Sequence, residues 1–246
     1  MSGHSKWHNI RLKKGKMDAV RGKTFTRLAR DIIVAAKNGG GNADTNIRLR
    51  YAIQKARESS MPADNIKRAI LRGTGEGDGV AYDEITYEGY GAGGVAILVE
   101  CMTDNKQRTV ADVRSYFTKT GGRLGENGSV GYLFQSKGII IIDEDVTTED
   151  ALMEVAIEAG ADDVQPTDEG GFEVSTAPGD LIPVQQALEA AKIAYSSAEL
   201  QMVPLNQATV TGSEAKAVMK LIDLLEENDD VQNVWSNADI PDNEVE

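Results

Sequence analysis

Cysteine and histidine are nearly missing from this chain: one and two respectively in 246 residues. A single thiol excludes a disulfide framework, and Cys101, inside the apolar run GVAILVECM, is expected to be a buried structural thiol in a reducing compartment. His4 and His8 lie four apart but have no second cysteine, and no acidic residue precedes Asp18, so a closed zinc site lacks ligands and no metal is expected. The same scarcity argues against Ser-His-Asp or Cys-His catalysis, because both histidines sit where little fixes their geometry. No apolar run approaches the ~20 residues that span a bilayer. The basic start MSGHSKWHNIRLKKGK has no apolar segment behind it, so the expectation is a cytoplasmic protein with no membrane partner.

What the chain does have is charge, unevenly placed. The first 75 residues carry 17 Lys and Arg against 5 Asp and Glu, and the remaining 171 carry 9 against 34, so a net charge of −13 joins a segment of +12 to one of −25. Such a split bears on partners rather than topology. A basic module neutralises phosphates and releases counterions, while an acidic remainder repels the same polymer or faces a basic protein partner.

Periodicity divides the chain further. Residues 1–22 mix Lys, Arg, His and Gly without an apolar repeat and read as a basic flexible arm. From Lys23, Phe25, Leu28, Ala29, Ile32, Ile33 and Ala36 recur at helical spacing up to Gly39-Gly40-Gly41. Leu49, Ala52, Ile53 and Ala56 mark a second helix. Ile66, Ala69 and Ile70 mark a third, with Pro62 at its first position and its end near Gly73. Residues 23–76 are thus expected to form a basic three-helix domain, closed by the linker GTGEGDG where the charge changes sign. Strands are expected at Glu84–Glu88, Val95–Met102 and Ser129–Phe134, with a helix from Asn105 to Lys119. Then follow strand Ile139–Asp143, helix Glu149–Ala159, strands near Val164 and at Phe172–Ser175, helix Leu181–Ile193 and strand Ala198–Val203. That βαββαβ order is the ferredoxin-like arrangement. A helix over 214–228 and a strand at Val231–Trp235 complete the chain. The fold class is therefore α+β and multidomain. An α/β domain of 80–136 plus 205–238, with a ferredoxin-like domain of 137–204 inserted into it, balances the element count.

Familiar motifs fail on inspection. Gly22-Lys23-Thr24 resembles the end of a phosphate loop, but Met17 stands where a glycine is needed and no strand precedes it, so Lys23 is better read as a helix-start cation. The glycines of EGYGAGG fit a hairpin turn, not a dinucleotide fingerprint, and no cofactor is expected. A nuclease would need carboxylates near the basic surface, and only Asp18, Asp31, Asp44, Glu58 and Asp64 occur in that region. The candidate nucleic-acid contacts are Lys6, Arg11, Lys13, Lys14, Lys16, Arg21 and Lys23 in and just after the arm, and Arg27, Arg30, Arg48, Arg50, Lys55, Lys67 and Arg68 on the helices. Trp7 offers a ring for a base, or an anchor on the helical bundle.

In order, GHSKW at 3–7, the pattern from Gly22 to Leu28, MPADNIKRAI at 61–70, YEGYGAGGVA at 87–96, DNKQRT at 104–109 and GSVGYLF at 128–134 resemble the YebC/PmpR family over essentially the whole chain. The resemblance implies an N-terminal helical domain followed by two α/β domains, one inserted into the other. It implies a non-enzymatic regulator of transcription that binds promoter DNA. Relatives that include a mitochondrial translational activator of cytochrome c oxidase offer the alternative, ribosomal RNA as the target. Duplex DNA docked on the helical domain is the favoured expectation.

Overall fold

Three helices open the described chain: α1 (Val20–Gly39), α2 (Ile47–Glu58) and α3 (Ala63–Gly73). The computed structural model describes residues 20–76, 82–167, 170–241 and 244, with backbone alone at 20–23. Every apolar position expected from the helical repeat lies in or against one core built on Leu28, Ile32, Leu49, Ile53, Ile66 and Ala69. Helix α1 begins three residues before Lys23, and Pro62 caps α3 rather than starting it, with extended ψ of 138°. Asn46 joins the first two helices. Its buried amide accepts from the Leu49 N–H at 3.0 Å and donates to the Ala35 and Gly40 carbonyls at 2.8 Å, closing the end of α1 onto the start of α2. At Gly73 a Cβ would lie 2.4 Å from the Ile33 carbonyl oxygen, so α1 and α3 approach as closely as their backbones allow.

The chain then forms strands β1 (Asp83–Tyr90) and β2 (Ala96–Thr103), helix α4 (Lys106–Lys119) and the short β3 (Arg123–Leu124). The hairpin runs in register from Asp83 opposite Thr103 to Tyr90 opposite Ala96, turning through Gly93 and Gly94, both at positive φ. Helix α7 (Gly212–Glu227) and strand β9 (Val231–Ser236) return to this sheet, whose order is β3-β1-β2-β9. Strand β2 is therefore internal, which explains a run buried everywhere except Glu100. Gly89 permits the Phe117 ring, whose edge a Cβ would meet at 2.6 Å.

Between β3 and α7 lie β4 (Phe134–Ile142), α5 (Glu149–Glu158), β5 (Ala161–Pro166), β6 (Phe172–Thr176), α6 (Leu181–Ala190) and β7 (Ser197–Pro204). Their sheet order, β5-β6-β4-β7, all antiparallel, is that of a ferredoxin-like unit. Short β8 (Ala208–Thr209) and β10 (Ala238–Asp239) pair in parallel. The fold is thus α+β, a helical region followed by two antiparallel α/β units. The chain divides into two compact units. One holds Val130–Gly212 and the residues from Trp235 on; the other holds the described residues up to Ser129 with Ser213–Val234.

Two strand expectations needed revision. Ser129–Phe134 is no strand: Gly128 turns the chain at φ 85°, Leu133 N–H closes a tight turn onto Val130 O, and Tyr132 points to solvent. Strand β4 instead begins at Phe134 and absorbs the segment expected only from Ile139.

Candidate nucleic-acid interface

The cations of the helical region sort into two sets by what they touch. Arg30 lies on the inward set. Its guanidinium sits 3.5 Å from Asp230 Oδ1, donates to the Asp229 carbonyl and lies 5.0 Å from the Tyr82 ring centroid. Arg27, one turn earlier, donates to the Glu226 carbonyl. Arg48 forms a two-pronged pair with Glu84, which raises the Arg48 pKa further. Arg50 donates to the Ala43 and Asp44 carbonyls, at 3.0 and 2.7 Å, and so holds the loop before α2. Arg27 and Arg30 were expected at phosphates; the structure engages Arg27 with the last turn of α7 and Arg30 with the segment just after it.

Asp230 is the hub of that attachment. Burial pushes its pKa up, but hydrogen bonds from Arg108 at 2.7 Å, Thr109 at 2.8 Å and Thr103 at 3.1 Å outweigh burial and hold it below the ordinary carboxylate range. Asp104 pairs with the same Arg108, and Asn105 caps α4 by accepting from the Arg108 N–H at 3.1 Å. The segment DNKQRT is thus an architectural joint. The segment YEGYGAGGVA is another: Glu88 accepts from Gly128 N–H and the Tyr90 hydroxyl donates to Ser129 O, both at 2.7 Å.

The outward set is Arg57, Lys67, Arg68 and Arg72, all exposed. None has an acidic side-chain partner among the described residues; Arg68 bonds the Asn65 amide oxygen and the Asp64 carbonyl. Lys55 is half-buried and lies within electrostatic reach of Asp31. Asn65, Arg68 and Arg72 follow one another by three and four, which puts them on one face of α3. That face and the Phe25–Arg30 stretch of α1 flank a cavity of about 350 Å3, which Tyr82 and Met61 also line and which no carboxylate lines among the described residues. Of the expected contacts, Lys67 and Arg68 are therefore exposed on this helix, with Arg68 at the cavity. Arg72, Asn65, Phe25 and Tyr82 were not anticipated there. The three-and-four spacing of Asn65, Arg68 and Arg72 was the available signal.

Lys6, Trp7, Arg11, Lys13, Lys14 and Lys16 lie outside the described residues, as do His4 and His8, and of Arg21 and Lys23 only the backbone, in the first turns of α1, is described. Among the described residues no cluster of three or more His, Cys, Asp or Glu can hold a metal, and no helix is long and apolar enough to cross a membrane. Cys101 is buried and its thiol is pushed up to about 12 by burial first, then by Asp230 and Glu100. It is an inert core thiol.

Comparison with known proteins agrees with these features. The profile of the TACO1/YebC protein N-terminal domain matches residues 5–76, and that of the TACO1/YebC second and third domain matches residues 82–238. A protein of Geobacter sulfurreducens named a probable transcriptional regulatory protein is 54% identical over 246 residues, covering 100% of this chain and 99% of its own. One of the same name from Desulfotalea psychrophila is 56% identical over 241 residues, covering 98% and 96%. The crystal structure of a conserved hypothetical protein from Aquifex aeolicus superposes with a TM-score of 0.81 at 45% identity, over 92% of this chain and 93% of that one. With matched segments spanning both the helical and the strand-rich regions, the chain belongs to the TACO1/YebC family.

Proposed function

We propose that this chain is a non-enzymatic, cytoplasmic regulator that holds nucleic acid by its N-terminal basic region, a transcriptional regulator of the kind its relatives' names describe. The observation that carries the reading is the outward set of cations, Arg57, Lys67, Arg68 and Arg72, on the one region of the chain whose charge is positive. Each neutralised phosphate releases counterions, so binding is strong at low salt and modest in sequence preference. No helix-turn-helix signature is evident in the sequence, which favours phosphate contacts over base reading in the major groove. The arm, through Lys6, Arg11, Lys13, Lys14, Lys16, Arg21 and Lys23 with Trp7 beside them, adds cations to the same surface in this proposal. The division into an arm of 1–22, a helical domain of 23–76, a domain of 80–136 plus 205–238 and an insert of 137–204 belongs to it too. The acidic α/β part then positions a basic protein partner.

Promoter duplex DNA is the first target under this reading. Ribosomal RNA in translation is the second, and the cavity between α1 and α3 favours it, because irregular RNA presents unstacked bases that such a cavity suits. Crosslinking in living cells, followed by sequencing of the attached nucleic acid, tests both, with the intact chain compared to one lacking residues 1–22. Arm-dependent enrichment at discrete promoters supports the transcriptional reading. Enrichment in ribosomal RNA replaces it with the translational one, and no enrichment in either refutes nucleic-acid docking.

A further inference from the structure

The cavity between α1 and α3 has a chemistry that simple phosphate docking does not require. Its volume, about 350 Å3, falls within the range of small-molecule sites. The lining pairs apolar surface from Phe25 and Met61 with three guanidinium groups, Arg30, Arg68 and Arg72, and with no Asp or Glu among the described residues. Arg68 and Arg72 are exposed, and Asn65 gives its amide oxygen to Arg68, which leaves its amide nitrogen for an acceptor. Arg30 supplies the most specific feature. One terminal nitrogen, Nη1, is engaged by the Asp229 carbonyl and the Asp230 carboxylate, and the guanidinium lies over Tyr82, so its orientation at the cavity is fixed. A guanidinium held in one orientation loses little freedom when a flat ring or an acceptor comes to rest beside it. A ligand that fits must therefore be flat, partly apolar, rich in acceptors and anionic at its edge.

We propose that this cavity receives one unpaired base of a single-stranded nucleic acid, resting on Phe25 and the Arg30 plane, with its flanking phosphates on Arg68 and Arg72. The inference rests on the nucleic-acid reading above and deepens it: cations alone serve any polyanion, whereas an apolar pocket beside a fixed guanidinium selects strands whose bases are free. An unpaired loop of RNA and a melted strand of DNA present the same chemistry. A duplex does not, because its bases are stacked.

The test uses the full chain and four probes: short single strands of mixed sequence in ribose and deoxyribose forms, the deoxyribose strand with every base removed, and the corresponding blunt duplex. Base-bearing strands are expected to bind about 5- to 150-fold more tightly than the abasic strand, the range that stacking of one base conveys. Phe25→Leu keeps the helical core apolar but removes the ring; it should abolish most of that preference and leave duplex affinity unchanged, while Phe25→Trp preserves it. Equal binding of base-bearing and abasic strands to the unaltered chain, a comparison that needs no variant, overturns the base site. So does a Phe25→Leu chain of unchanged melting temperature that keeps the full preference. In either case continued salt-sensitive binding of all probes leaves phosphate docking standing, whereas no binding to any probe at low salt removes the parent reading as well. The ribose and deoxyribose arms identify the source of the strand, RNA if ribose is preferred and melted DNA if it is not.

Discussion

Replacing Asp31 by asparagine removes a charge that the fold holds at a disadvantage. Asp31 sits on the α1 face toward β1 and β2, lining a small cavity with Arg48, Glu84, Glu100 and the amide of Gln232, whose polar atoms have no hydrogen-bond partner among the described residues. Burial raises its pKa from 3.8 to about 6; Lys55 and Arg48 pull it down, but Glu100 and Glu84 add to the rise. Below about pH 4 the carboxyl is protonated in both folded and unfolded chains, so ionisation of Asp31 takes nothing from stability. Between about 4 and 6 the folded chain keeps a proton that the unfolded chain releases, and stability falls as pH rises. Above that range both are ionised and the full deficit persists. A shift of about two units is worth about 3 kcal/mol at about 1.4 kcal/mol per unit. Asp31→Asn should therefore be close to neutral near pH 4 and more stable than the parent chain by up to about 3 kcal/mol at pH 7.5. Urea denaturation of both chains across that range gives the difference directly, and other titrating groups cancel in it. A flat difference would refute the reasoning. A variant less stable at pH 7.5 than at pH 4, relative to the parent, would show that attraction to Lys55 and Arg48 outweighs burial.

Other residues give equally specific outcomes. Asp230→Ala strands the donors of Arg108, Thr103, Thr109 and Arg30 around a buried position, and should destabilise the unit by about 3–5 kcal/mol in denaturant titration. Because the Asp230 pKa is depressed, its contribution is present above the unfolded value near 4 and lost as pH falls below it, so the difference between parent and Asp230→Asn should shrink toward pH 3. Asn46→Ala loses the α2 cap and two bonds to the end of α1, with an expected loss of about 2–4 kcal/mol and faster amide exchange at both helix ends. Gly73→Ala places a methyl 2.4 Å from the Ile33 carbonyl oxygen and should cost about 1–3 kcal/mol, read as a lower melting temperature of the helical region.

How much of this was legible in the sequence depended on whether the signal was local. The helical repeat from Phe25 to Ile70 named the first core almost completely, because a three-helix bundle buries one stripe of each helix and the stripe is periodic. The βαββαβ order likewise followed from local patterns, and β9 lies beside β2 in the first sheet. The error at Ser129–Phe134 arose because an apolar cluster without alternation looks like a strand whether or not the backbone is extended. The Asp230 joint was hidden for a different reason. Its partners at 30, 103, 108 and 109 converge only in space, so charge count alone gave no sign that Arg30 meets Asp230. Conversely, Phe25 read as an ordinary core ring of the helical repeat, and only the cavity it shares with Arg72 sets it apart.

The most direct test of the nucleic-acid account is the salt dependence of binding by the full chain beside a Lys67→Gln, Arg68→Gln, Arg72→Gln triple variant. The slope of log affinity against log salt should be steep for the parent. In the variant it should flatten by about 2 for single strands, or slightly more for duplex, at about 0.7–0.9 for each phosphate that is no longer neutralised. Identical slopes and affinities for the two chains would contradict the claim that the exposed face of α3 carries the interface.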